Sequence, residues 1–139
     1  YGGNGINGHH DHANVEEPTL VIGRVGYYCG SVHITPARAW VTDNAFITRY
    51  PKAFLDMNWL YWLLVGTNLK ENDSATAQPV ISGRKLYPIV IALPPLPEQA
   101  RIVARVAQLH RLCADLRQRL TQSQTTQAAL AEALVAQLP

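Results

Sequence analysis

The residues best equipped for chemistry lie early in this sequence. His9-His10-Asp11-His12 is its most metal-like run, and His33 or Cys29 could complete a site. Imidazole and thiolate suit zinc or nickel. Adjacent residues rarely converge on one ion, however, and this run sits among Gly and Asn. It reads as a loop that is solvated or touches a ligand, with no metal and no cofactor. Gly2, Gly3, Gly5 and Gly8 let the backbone approach a ligand closely. Arg24, between Gly23 and Gly26, follows a short apolar run. A guanidinium at such an exit suits a bidentate contact to phosphate or guanine, or a structural ion pair with Asp43. Tyr27 and Tyr28, in a turn, read as exposed contact groups. Trp40, Trp59, Tyr61 and Trp62 read mainly as core.

Catalytic signatures are missing. The chain has no GxxxxGK phosphate loop, no HExxH and no GxSxG. Nothing in it matches an Asn-Pro-Pro-aromatic methyltransferase site or a carboxylate-lysine nuclease cluster. The expectation is a protein without chemistry of its own.

The elements that must position these residues divide at the prolines of ALPPLPEQARIVARV, residues 92–106. At 139 residues, with 47% hydrophobic and 16% charged side chains, the chain can bury one core but scarcely two. Its longest apolar run, Trp59 to Val65, is far short of the roughly 18 residues that cross a bilayer. No secretory leader is evident and Met does not open the chain, so a cytoplasmic piece of something longer is expected. Cys29 and Cys113 are far apart and read as free, buried thiols.

The net charge is only +2. Residues 1–94 balance Arg24, Arg38, Arg49, Lys52, Lys70, Arg84 and Lys85 against Asp11, Glu16, Glu17, Asp43, Asp56, Glu71 and Asp73. Five arginines against three carboxylates make the remainder basic. Bulk charge therefore does not announce a nucleic-acid binder, and such a reading needs a more specific signal.

Before the prolines, strand and turn patterns dominate. Residues 19–26 and 30–35 form an apolar and an alternating run, joined by a hairpin-like connection over Gly26 to Gly30. Residues 39–50 read as one strand or a bent pair, with Asp43-Asn44 at the kink. A helix over 55–69 follows, ending near Gly66 or Asn68. Residues 71–79 read as an exposed loop, 82–86 as one helical turn, and 87–93 as a last short strand.

After Pro95 the periodicity becomes helical, with Pro97 and Glu98 suited to a first turn. Ile102, Val106, Leu109, Cys113, Leu116 and Leu120 step by four and three. The register continues through Ser123 and Gln127 to Leu130, Leu134 and Gln137. This is a heptad seam of about five repeats with a polar middle, where a local break over 121–127 would fit the modest helix propensity. Such a stripe needs a partner helix.

Three segments together resemble the specificity (S) subunit of type I restriction-modification systems. YGGNGINGHHD with PTLVIGRVGYYCG is similar to the opening pattern of a target recognition domain. WVTDNAFI resembles the strand that follows it. AQPVISGRKLYPIVIALPPLPEQARIV is similar to the segment leading into the family's conserved helix.

The resemblance implies an α+β fold. It comprises a small mixed or antiparallel β-rich domain with one or two helices over 1–94, incomplete at its N-terminus, and a long coiled-coil-type helix over 95–139. It implies a non-catalytic subunit, half-length or truncated, that reads double-stranded DNA for methyltransferase (M) subunits and, through them, a restriction (R) subunit. The contact residues it implies are Asn4, Asn7, His9, His10, Arg24, Tyr27, Tyr28, Asn44, Gln78, Arg84 and Lys85. Because Gly23-Arg24 belongs to the family pattern, Arg24 would hold phosphate or structure rather than read a base. Ile102, Val106, Leu109, Cys113, Leu116, Leu120, Leu130 and Leu134 would pair with a second copy in a homodimer and dock M subunits. The alternative is a helix-mediated interaction module that reads no DNA.

Overall fold

A computed structural model describes residues 1–72 and 79–136 of the chain. Side chains are described for all of these except residues 71 and 72. A three-stranded antiparallel sheet lies at its centre, in the order β2-β1-β3: β1 is Leu20–Gly23, β2 Val32–Ile34 and β3 Ala45–Ile47. Leu20 pairs with Ile34 and Ile22 with Val32; on the other edge Val21 pairs with Ile47 and Gly23 with Ala45.

The middle strand is buried along its whole length, which explains its unbroken apolar sequence. Leu20 and Ile22 face one cluster with Cys29, Val32, Leu69 and Ile81. Val21 faces the other side, against Val41 and Ala45. A strand covered on both faces has no solvent side on which to place polar residues.

Helix α1, Met57–Gly66, begins where Asp56 accepts a hydrogen bond from the Trp59 N–H (2.9 Å) and ends at Thr67. Trp59 and Leu60 are its buried residues. A 3₁₀ turn, Leu69–Asn72, follows. Helix α2 is the single turn Gly83–Leu86, and α3 is the 40-residue helix Leu96–Val135. No helix among the described residues is long and apolar enough to cross a membrane.

Contacts divide the chain into two compact units, Tyr1–Ala100 and Arg101–Pro139, so the boundary falls inside α3. Within the first unit, Gln99 is fully buried. Its side-chain carbonyl accepts from the Asp56 N–H (2.8 Å), and its amide donates to the carbonyls of Phe54 (2.7 Å) and Pro94 (2.8 Å). A buried amide satisfied in this way ties the start of α3 to the start of α1.

Several expectations need correction. Residues 87–93 form no strand. The Tyr87 N–H bonds back to Gly83 and the Ile89 N–H to Leu86, so the chain keeps turning out of α2. Pro88 has no N–H to offer a ladder, and Val90 is 95% exposed. Residues 39–50 give only the short strand β3 after a turn, while Ala39 bridges separately to Val15. Trp40 is not core: it is 40% exposed and stacks on His10, ring centroids 4.7 Å apart. Cys29 and Cys113 are not joined in a disulfide, and only Cys29 is buried. Helix α3 runs unbroken through residues 121–127. There Thr121, Thr125 and Thr126 each donate a hydroxyl to the carbonyl four residues earlier, at 2.9–3.0 Å. Side-chain hydroxyls directed in this way leave the helical ladder intact.

Candidate functional site

The opening residues fold into a tight loop because glycine allows it. Gly2 and Gly5 pair through their backbones (2.8 and 3.4 Å), and Gly5 takes φ +83°, a left-handed geometry that side chains resist. The loop lies directly on the end of β1. A Cβ on Gly23 would strike the Gly3 carbonyl, and one on Gly3 would come within 2.5 Å of the Val25 carbonyl. Ser31 Oγ donates to that Gly3 carbonyl at 3.0 Å.

The same hydroxyl lies 3.2 Å from His33 Nε2. Since its one proton is given to Gly3, the imidazole must donate, which fixes the Nε2–H tautomer. Burial pushes the His33 pKa below its ordinary value and so favours the neutral ring.

The β1–β2 connection is equally constrained. Gly30 N–H bonds to Gly23, Cys29 N–H to Gly26 and Ser31 N–H to Tyr28, at 2.8–3.0 Å. With Cys29 turned into the core, Tyr27 and Tyr28 are left outside, 72% and 55% exposed and edge-to-face at 5.0 Å. The Arg24 N–H donates to the Asn44 carbonyl at 2.8 Å, which brings the turn before β3 alongside.

These three segments enclose an open cleft of about 290 Å³. Its floor is Gly3, Val25 and Gly26, and its walls are Asn4, Asn7, Tyr27, Tyr28 and Asn44. The wall side chains are amides and phenols, with no carboxylate, ammonium or guanidinium among them. Amides and phenols of this kind can donate and accept hydrogen bonds toward a flat polar ligand.

The structure therefore brings Asn4, Asn7, Tyr27, Tyr28 and Asn44 together. His9 and His10 line a neighbouring hollow of about 350 Å³ with Trp40 and Arg38, and Asn7 belongs to both. His10 Nδ1 sits 3.0 Å from the His12 N–H, which it can accept, and 3.5 Å from the Asp11 carboxylate. Among the described residues no group of three His, Cys, Asp or Glu side chains is arranged to hold a metal ion.

Arg24 is exposed with its guanidinium 5.5 Å from the Phe46 ring centroid, and no ion pair joins it to Asp43 among the described residues. Arg84 and Lys85 are exposed on α2 and do not line the cleft. Gln78 lies outside the described residues. Sequence reasoning missed Ser31 and His33 as supports of the loop. Their alternation marks a strand face, but nothing in it signals that Gly3 lies above them.

On α3, Ile102 and Val106 are half-buried and Cys113 is exposed. The leucines that continue the stripe are exposed as well, from 45% at Leu109 to 66% at Leu134, with Leu116, Leu120 and Leu130 between.

Comparison with known proteins adds three findings. The family described as the type I restriction modification DNA specificity domain matches residues 2–123. The specificity subunit of the type I restriction enzyme EcoprrI from Escherichia coli is 29% identical over 104 residues, 75% of this chain. A crystal structure of the S subunit of a type I restriction-modification system from M. genitalium superposes with a TM-score of 0.64. That alignment covers 80% of this chain at 18% identity, an identity at which likeness speaks for the fold alone. The chain spans 26% of the E. coli protein and 31% of the M. genitalium subunit. With the family match running from the glycine loop through the cleft and into α3, the chain belongs to the type I restriction modification DNA specificity domains.

Proposed function

We propose that this chain reads DNA sequence as a half-length or truncated specificity subunit, on behalf of methyltransferase and restriction subunits, and performs no chemistry itself. The observation that carries the reading is the cleft. Three chain segments converge to hold Asn4, Asn7, Asn44, Tyr27 and Tyr28 over a main-chain floor. Asn side chains can pair bidentately with adenine at a base edge. Arg24, Arg84 and Lys85, exposed outside the walls, are suited to phosphate contacts that fix register without reading sequence. His9 and His10 would extend the contact from the neighbouring hollow, and Gln78 is retained as a proposed contact.

In this reading residues 1–94 are a recognition domain and 95–139 a helix for pairing and docking. The stripe from Ile102 to Leu134 pairs with a second copy about a two-fold axis, which would present two recognition domains to inverted half-sites. The complex works in the cytoplasm, where its DNA lies. Co-expression with a cognate methyltransferase subunit should leave sequence-specific methylation in host DNA, read by sequencing. A host genome without any such mark would refute the specificity reading. The exposed stripe also fits a second reading, an interaction module that reads no DNA, and that outcome would favour it.

A further inference from the structure

Lys70 is not among the residues that the sequence pattern nominates, yet the fold sets its ammonium against the cleft's aromatic wall. The cause begins at Gly30, which adopts φ +86°. A Cβ at this position would lie 3.0 Å from the Lys70 backbone nitrogen, 3.2 Å from the Leu69 carbonyl carbon and 3.2 Å from Ile81 Cδ1. The missing Cβ lets the 3₁₀ turn Leu69–Asn72 settle onto the β1–β2 connection. Leu69 is then driven into the core, 2% exposed, and its neighbour Lys70 is turned to the surface. Its Nζ lies 4.3 Å from the centroid of the Tyr27 ring. Tyr27 is itself a wall of the cleft and is braced edge-on by Tyr28.

We propose that Lys70 is a phosphate anchor: held over Tyr27, it fixes the DNA backbone beside a cleft whose neutral walls face the bases. The assignment rests on the DNA-reading function proposed above. An ammonium has three N–H donors, and contact with a ring face leaves donors for phosphate oxygens. The ring also narrows the rotamers of a flexible lysine before DNA arrives, which lowers the entropy lost on binding. The division of labour follows from charge: the walls carry none, and the cation stands at their edge.

The test is the salt dependence of binding by the full chain to a mixed-sequence duplex, followed by fluorescence anisotropy across roughly 50–200 mM salt. Lys70→Met should lower the slope of log affinity against log salt by about 0.9, the share of one phosphate. Lys70→Gln should do the same, guarding against an effect of the Met side chain on folding. Lys70→Arg should keep the wild-type slope. Relative affinities among different sequences should stay unchanged in all three. An unaltered slope in the Met and Gln variants beside a salt-dependent wild type overturns the Lys70 assignment alone. So does an Arg variant that loses as much slope as Met. A wild-type chain that binds no duplex overturns the DNA reading and the anchor together.

Discussion

The cleft above β1 and the stripe along α3 are both open to solvent, but for opposite reasons. The cleft is finished: glycines, a serine hydroxyl and a neutral imidazole hold its polar walls over a main-chain floor. The stripe is unfinished, a line of leucines 45–66% exposed with apolar surface still facing water. A preset polar cavity suits a hydrated ligand that supplies its own hydrogen bonds. An exposed apolar line of this length marks a protein contact. Under the proposed function the cleft would be a reading surface and the stripe an assembly surface, and each should be breakable without touching the other.

The sharpest break is at the stripe. Leu109→Asp combined with Leu116→Asp should convert a dimer to monomers while leaving the first unit folded. Each buried Leu is worth about 1.5–3 kcal/mol, and a two-fold interface loses every substituted side chain twice. Sedimentation reads the result, and an unchanged profile would remove the heptad seam as an interface. Next in size is Gln99→Ala, which removes the partner of the Asp56 N–H and of the Phe54 and Pro94 carbonyls. Leaving such groups unpaired costs about 1–3 kcal/mol each where water cannot reach them. The urea midpoint should fall accordingly, and a midpoint within experimental scatter of wild type would mean that the amide is not a tie.

At the cleft, Asn44→Ala should cost about 1–3 kcal/mol of discrimination at one base position while leaving stability and oligomeric state unchanged. Competition binding with single-base variants of the methylated target would show this. Equal losses on every sequence would move Asn44 from reading to backbone holding.

The smallest effect is a pH dependence. His33 is held neutral by burial, with its folded pKa below the ordinary 6.5. The unfolded chain therefore takes up a proton first as pH falls. The stability His33 contributes is intact above about 6.5 and is lost as pH falls through the lower folded value. Wild type should lose urea resistance across that window more steeply than His33→Gln. Matching curves would separate His33 from the floor of the cleft.

Much of this was legible in the sequence wherever neighbours decide structure. The β1–β2 hairpin shows in the glycines bracketing Tyr27 and Tyr28, α1 in its apolar spacing after Asp56, and α3 in its heptads. The five cleft walls are among the contacts that the family resemblance implies, and Tyr27 and Tyr28 are marked as exposed by their turn as well. What escaped was decided by distant segments. Gln99 finds its partners 43 and 45 residues back, and no local pattern carries that information. Trp40 stacks on His10, which is also distant in sequence. The segment at 87–93 has β-forming residues, but α2 hands it a turning backbone and Pro88 denies it a ladder bond. Lys70 was invisible because its position depends on an atom that Gly30 lacks.

The floor of the cleft has a consequence for how such a protein can change. Gly3, Val25 and Gly26 meet there largely through main chain, and the close approach of Gly3 to Gly23 and Val25 forbids side chains between them. The residues at 4, 7, 27, 28 and 44 stand on that platform, and none is itself part of the buried core. Mutation can therefore exchange them at little cost to folding. A lineage can acquire a new preference by replacing walls while keeping the same foundation.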